Sequence, residues 1–175
     1  MKKVLLLCAS HNDLGLVRGL RRLGYYILAI GNIPGLPGEK EVDEYIQMDY
    51  SEKERVLELA REQKIDAICQ CCNDFGVYTA AYVAEKLGLP GYDSYETTLL
   101  LHNKDRFKVF ARENDVCIPE FCCFTEEAEA IDWLEQRKHM TWIVKPADAS
   151  AGNGIGTVNF SGGGGKVHKH CICAL

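Results

Sequence analysis

The chain has 175 residues, a net charge of −5 and hydrophobic residues at 47% of its positions. This length allows one large or two small domains with a buried core. The acidic balance, with no basic stripe, argues against a nucleic-acid partner. The apolar stretches are too short for a membrane span, and residues 1–3 lead directly into a strand-like run rather than a signal sequence. These features predict a soluble, cytoplasmic protein.

The first 92 residues alternate between strand-like and helix-like segments. Residues 4–8 form an apolar run that is typical of a parallel strand buried on both faces. Further strand-like runs follow at residues 26–30, 45–48 and 65–71. The last helix-like run covers residues 74–87. Residues 31–38 hold three glycines and two prolines, which predict an irregular loop. The alternation predicts an α/β domain, Rossmann-like, with about four parallel strands joined by right-handed crossovers.

Polar residues follow two of these strands. His11 comes after the first strand and Asp74 after the fourth. Ligands of open parallel sheets gather at the carboxyl ends of the strands, so both are candidate substrate contacts. The alternative for each is a helix cap or a solvated turn residue. The first turn lacks the G-x-G-x-x-G pattern of dinucleotide sites, which argues against a dehydrogenase.

A second region of interest is the helix predicted over residues 103–112. Asn103 is its predicted cap, which places Lys104 in the first turn. A cation is unfavourable there because the helix dipole is positive at that end. The neighbouring Asp105 could offset this charge. An anion bound at the helix start explains the position of the lysine better.

A glycine-rich loop follows the strand-like residues 142–144. The strand ends in Lys145 and Pro146, the loop has glycines at positions 152, 154 and 156, and residues 155–160 form a second strand-like run. Two short strands joined by such a loop can fold over a triphosphate, because glycine lets the backbone approach phosphate oxygens and lysine supplies positive charge. The alternative is a flexible hairpin with a solvated lysine.

Together these motifs resemble the ATP-grasp ligases, over roughly residues 3–160. They are most similar to the carbamoyl-phosphate-synthase, biotin-carboxylase and phosphoribosylglycinamide-synthetase type. The resemblance is carried, in chain order, by Asn103-Lys104-Asp105 with Phe107, by Ile118-Pro119, and by Val144-Lys145-Pro146 before the glycine-rich loop.

The resemblance implies that Lys104 and Lys145 contact the phosphates of ATP, with Lys145 also near the adenine edge. It further implies that Ile155 contacts the base. The flap over the phosphates would consist of Ser150, Ala151, Gly152, Asn153, Gly154, Ile155 and Gly156. A pre-ATP-grasp domain is expected over residues 1–92. The linker helix and the first, small α+β subdomain of the ATP-grasp fold are expected over residues 93–160.

The last fifteen positions, 161–175, differ from the rest of the chain. Four consecutive glycines and the lack of an amphipathic period predict a disordered or aberrant tail. A soft-metal cluster is the alternative, formed by His168, His170, Cys171 and Cys173. The chain has nine cysteines, and no secretory signal supports a disulfide framework, so they are interpreted as reduced structural thiols.

A complete enzyme of the resembled type phosphorylates a carboxylate with ATP and passes the acyl group to an amine. It also needs a second large subdomain and acidic ligands for magnesium, which have no counterpart in this sequence. The expectation is therefore an N-terminal, truncated portion of a ligase, which binds ATP weakly, is inactive alone, and forms a homo-oligomer or is completed by a C-terminal chain. The alternative is a non-catalytic nucleotide or metabolite binding module.

Overall fold

The computed structural model describes residues 1–70, 74–139, 141–147 and 154–158, and the backbone alone of residues 171–174. The chain divides into two compact units, Met1–Thr98 and Leu99–Leu175. The sequence places its division earlier, between residues 92 and 93, and that boundary remains a prediction. Among the described residues, the helices are too short and too polar to cross a membrane.

The first unit is built on a parallel sheet. Its strands are β1 (Lys3–Leu7), β2 (Tyr26–Gly31), β3 (Glu44–Gln47) and β4 (Ala67–Gln70). They lie in the order β3-β2-β1-β4, and each neighbouring pair is parallel. The helices are α1 (Leu14–Arg22), α2 (Lys53–Glu62), α3 (Asp74–Leu87) and α4 (Tyr95–His102), which extends beyond Thr98. The predicted α/β fold class is confirmed.

Both faces of this sheet are buried, which explains the continuous apolar runs in β1 and β2. Leu5 and Leu28 belong to one core cluster, together with residues of α2 and α3. Val4 and Ile27 belong to a second cluster, which includes Val17 of α1. Successive residues of a strand point to opposite faces, so a strand covered on both sides needs apolar residues at every position.

The segment at residues 31–38, predicted as an irregular loop, has regular structure at both of its ends. Gly31 completes β2, and a 3₁₀ turn begins at Pro37 and runs to Glu41. The turn lies directly against the residue after β1, because the Gly38 N–H donates a hydrogen bond of 2.9 Å to the Ala9 carbonyl. A Cβ atom on Gly38 would lie 2.5 Å from the Ala9 oxygen. Only glycine fits this approach without a shift of the backbone.

The second unit contains an antiparallel sheet and two helices, as expected for a small α+β subdomain. Its strands are β5 (Phe121–Cys123), β6 (Trp142–Lys145), β7 (Gly156–Val158) and β8 (Cys171–Ala174), in the order β5-β8-β6-β7. The helices are α5 (Lys104–Glu113) and α6 (Glu127–Glu135). Its core cluster is small and consists of Ala130, Leu134, Trp142 and Val144.

Strand β8 lies in the segment for which the sequence predicts a disordered or aberrant tail. Its backbone pairs antiparallel with β5 on one side and with β6 on the other. The difference has a physical reason, since a four-residue strand is defined by the partners that satisfy its backbone and has little period of its own. Of the alternative metal cluster, His168 and His170 lie outside the described residues.

Candidate nucleotide site

Lys104 is the first residue of helix α5. Asn103 precedes it in an extended conformation and holds the N-cap position, but its side chain makes no capping hydrogen bond. The side-chain amide instead donates a bond of 2.9 Å to the Leu99 carbonyl of α4. Asn103 therefore holds the predicted N-cap position, while its side-chain amide bonds to the preceding helix.

A backbone contact joins the start of helix α5 to the end of strand β6. The Lys104 N–H donates a hydrogen bond of 3.4 Å to the carbonyl of Ala147, two residues after Lys145. Both lysine residues are half-buried. This contact places the backbone at the positive end of a ten-residue helix next to the segment that follows Lys145. Such an arrangement is suited to an anion.

The glycine-rich loop connects β6 and β7 as a hairpin. Trp142 lies opposite Val158 and Val144 lies opposite Gly156. Gly154 has a φ of +69°, in the left-handed region that glycine adopts without strain. A Cβ atom at this position would lie 2.7 Å from Cγ of Pro146, the residue that follows Lys145. The far end of the loop therefore folds back beside the predicted phosphate-binding lysine.

The structure describes two further residues of the predicted flap, which follow Gly154 in the chain. Ile155 is 48% exposed, and Gly156 begins strand β7. The other predicted members of the flap, Ser150, Ala151, Gly152 and Asn153, lie outside the described residues.

The predicted substrate contacts lie in the first unit. His11 is exposed and follows β1, and Asp74 is exposed and begins helix α3 after β4. Strands β1 and β4 are parallel neighbours, so the two residues follow strand ends at the same edge of the sheet. Their role as substrate contacts remains a prediction.

Asp13 is a buried acidic residue at this edge. Its side chain is 1% exposed and one carboxylate oxygen, Oδ2, accepts hydrogen bonds from the backbone N–H and the hydroxyl of Ser10. Burial, and then the charge of Asp13, raise the pKa of the Cys8 thiol. The serine and the acidic residue three positions later are the signal of a capping box, which was available in the sequence.

A cavity of about 380 Å³ lies elsewhere in the second unit. It is lined by Arg112, Ile118, Pro119, Glu120, Phe121, Trp133 and Arg137. Arg137 forms an ion pair of 3.3 Å with Glu120 and lies 4.0 Å from the centre of the Trp133 ring. Among the described residues that line it, none is a predicted nucleotide contact.

Several known proteins are similar to this chain in sequence or in fold. No protein-family model matches the chain. The formate-dependent phosphoribosylglycinamide formyltransferase of Rhodococcus jostii is 23% identical over 161 residues, which are 92% of this chain and 40% of that protein. The N5-carboxyaminoimidazole synthetase of Staphylococcus aureus, solved with ADP, has a TM-score of 0.74 and 17% identity over 99% of this chain and 47% of that one.

This chain has the fold of part of an ATP-grasp ligase. The biotin carboxylase domain of the Hydrogenobacter thermophilus 2-oxoglutarate carboxylase, solved as a dimer with MgADP and bicarbonate, has a TM-score of 0.70. It is 21% identical over 90% of this chain and 37% of that one. The resemblance to ATP-grasp ligases predicted from the sequence is confirmed. The chain spans less than half the length of each of these three proteins.

Proposed function

We propose that this chain supplies the lysine side of the ATP site in an ATP-dependent carboxylate–amine ligase of the ATP-grasp type. The observation that carries the proposal is the hydrogen bond from the Lys104 N–H to the Ala147 carbonyl. It holds the first turn of α5 next to the end of β6, where Lys145 lies. Two lysines distant in sequence thereby belong to neighbouring backbone segments, one of them a helix N-terminus.

Each element has a separate task toward a triphosphate. The ammonium groups of Lys104 and Lys145 offset the negative charge of the phosphates, and the N-terminus of α5 adds a favourable dipole. The glycine-rich loop approaches the phosphate oxygens through its backbone, which side chains larger than glycine would obstruct. Ile155, exposed at the end of this loop, offers an apolar contact for the base. The remaining flap residues, Ser150, Ala151, Gly152 and Asn153, are proposed to cover the phosphates, as the resemblance implies.

The similar proteins support ATP as the nucleotide, since one was solved with ADP and another with MgADP. Magnesium ligands are not assigned to this chain, because the described residues contain no group of three His, Cys, Asp or Glu that could hold a metal ion. His11 and Asp74 are proposed as contacts for the carboxylate substrate or its acceptor. One wall of a nucleotide cleft buries only part of the ligand, so we expect an affinity on the order of millimolar.

The test of the site is nucleotide binding by the purified chain and its lysine variants. Chemical-shift titration with Mg-ATP measures millimolar affinities directly. We expect saturable binding by the unmodified chain and at least about tenfold weaker binding by the double variant Lys104→Ala/Lys145→Ala, because each lost charge contact costs about 1.5 kcal/mol or more. Lys108→Ala is the matched control, since this lysine belongs to the same helix but lies over the Phe121 ring, 5.1 Å from its centre. It should bind like the unmodified chain.

Two outcomes of this titration would contradict the proposed site. One is binding that the double variant retains in full, which would mean that the nucleotide contacts other residues. The other is an equal loss of Mg-ATP affinity in Lys108→Ala and in the double variant. That result would mean that the affinity depends on the net charge of the chain and not on the positions of Lys104 and Lys145.

Turnover distinguishes a contributing part from a self-sufficient enzyme. Incubation with ATP, magnesium and a panel of amino and keto acids should release no ADP above background, because two lysines position a triphosphate but leave most of the barrier to acyl transfer in place. Carboxylate-dependent ADP release that Lys145→Ala abolishes would show that this chain completes the reaction without further chain length.

A further inference from the structure

Two cysteines that are distant in sequence occupy opposite positions in the second sheet. In the antiparallel pair of β5 and β8, Phe121 lies opposite Cys173, Cys122 opposite Ile172, and Cys123 opposite Cys171. Residues directly opposite each other in an antiparallel ladder share one face of the sheet. Cys123 and Cys171 therefore share a face, while Cys122 belongs to the other one.

The spacing of opposite positions suits a disulfide. Directly opposite residues have Cα atoms about 4.5 Å apart in one kind of antiparallel pair and about 5.5 Å apart in the other. Disulfides in proteins span Cα separations of about 4.4–6.8 Å. Both kinds of pair fall inside this range, so the register alone satisfies the backbone requirement. In this ladder Cys122 and Cys173 face Ile172 and Phe121, which have no thiol.

We propose that Cys123 and Cys171 form a cross-strand disulfide when the chain meets a disulfide oxidant such as oxidised glutathione. The sequence analysis predicts reduced thiols, and sequence spacing says nothing about two cysteines joined through a sheet. Cys123 is exposed and therefore accessible to a soluble oxidant. On its other side, Cys171 lies opposite Lys145 of β6.

The reaction is a double exchange. The thiolate of Cys123 attacks one sulfur of oxidised glutathione, the glutathione S–S bond breaks, and one glutathione thiolate leaves. The thiolate of Cys171 then attacks the Cys123 sulfur of the mixed disulfide and displaces the second glutathione. In total, two protein thiols lose two protons and two electrons, and one oxidised glutathione becomes two reduced glutathiones.

Peptide mapping of the full 175-residue chain tests the proposal. The protein is equilibrated with mixtures of oxidised and reduced glutathione, the remaining thiols are alkylated, and linked peptides are identified by mass spectrometry. We expect the unmodified chain to lose two alkylatable thiols and to give one peptide that joins Cys123 to Cys171. Excess reduced dithiothreitol should restore both thiols.

Single variants decide whether the register selects the pair. Cys123→Ser and Cys171→Ser should each give no linked peptide under the same oxidation, and in Cys171→Ser the thiol of Cys123 should stop at the mixed disulfide with glutathione. Cys122→Ser and Cys173→Ser are the matched controls, one residue and two residues away along their strands, and each should still lose two thiols. A linked peptide that joins Cys122 to any other cysteine, or full alkylation of the unmodified chain in oxidised glutathione, would overturn the proposal. Mapping of the unmodified chain does not depend on the folding of any variant.

Discussion

The two units of this chain bury their sheets in different ways. In the first unit, β1 is apolar from Val4 onward and β2 has no charged residue, and Val4, Leu5 and Leu28 are fully buried. In the second unit, β6 alternates, with Trp142 and Val144 buried and Ile143 and Lys145 half-buried. A parallel sheet covered by helices on both faces needs apolar side chains at every position, whereas a sheet packed on one face leaves alternate positions for function. The predicted nucleotide contact Lys145 occupies such a position.

The aromatic residues report on the two units separately. All eight tyrosines occur before residue 99, and both tryptophans, Trp133 and Trp142, occur after it. Tyrosinate absorbance therefore reports on the first unit, and tryptophan fluorescence reports on the second. The two signals allow each substitution below to be assigned to one unit.

The largest effect is expected from Leu5→Ala in the first unit. Leu5 is fully buried within the larger core cluster, and a leucine truncated in such a core costs about 2–5 kcal/mol of unfolding free energy. Chemical denaturation followed by far-ultraviolet circular dichroism measures the loss. Leu23→Ala is the control, since Leu23 is 75% exposed and should change little. A tryptophan transition that shifts as far as the dichroism transition would show that the two units unfold together.

A smaller loss is expected from Leu134→Ala in the second unit. Leu134 is 3% exposed, but its core cluster has four buried members among the described residues and can relax around the removed atoms more easily. We expect a loss near the low end of the same range, about 2 kcal/mol, seen in tryptophan fluorescence. Ile131→Ala on the same helix is the control, because Ile131 is 41% exposed. A loss larger than that of Leu5→Ala would reverse the ranking of the two cores.

Gly38→Ala tests the close approach that ties the 3₁₀ turn to the end of β1. The added Cβ would lie 2.5 Å from the Ala9 carbonyl oxygen, which is backbone and cannot move alone. Overpacking of this kind costs about 1–3 kcal/mol of unfolding free energy. We expect this loss in the unfolding of the first unit alone. Gly15→Ala in helix α1 has open space around the new Cβ and should be neutral or stabilising. Equal free energies of unfolding for Gly38→Ala and Gly15→Ala would mean that the backbone of the turn shifts without a cost in stability.

The smallest effect is expected at alkaline pH and only in the first unit. Burial, and then the charge of Glu39, raise the pKa of Tyr45 to about 12, and burial raises that of Tyr92 to about 12. Both phenols thus stay neutral in the folded unit at a pH where the unfolded chain, with pKa values near 10, ionises. Their contribution is intact below pH 10 and declines from about pH 10 to pH 12.

The free energy of unfolding, followed at several pH values in that window, measures this decline. Tyr92→Phe should flatten the pH dependence of the first unit and leave the tryptophan signal of the second unchanged. An equal decline in Tyr92→Phe and in the unmodified chain would show that this phenol does not contribute.

Much of this fold could be predicted from the sequence because its signals are local. Continuous apolar runs predict strands with two covered faces, and the helix over residues 74–87 was predicted with the bounds that the structure has. The helix start at Lys104 and the hairpin after Lys145 follow in the same way from caps, glycines and β-rich runs. Such signals need only neighbouring residues, so a single sequence carries them.

Contacts between distant segments were decided by the tertiary structure. The strand Cys171–Ala174 forms through its pairing with β5 and β6. The bond between Lys104 and Ala147 likewise joins residues that no local pattern relates. A sequence specifies what each segment can form, whereas backbone donors and acceptors from remote segments select which of these forms is satisfied.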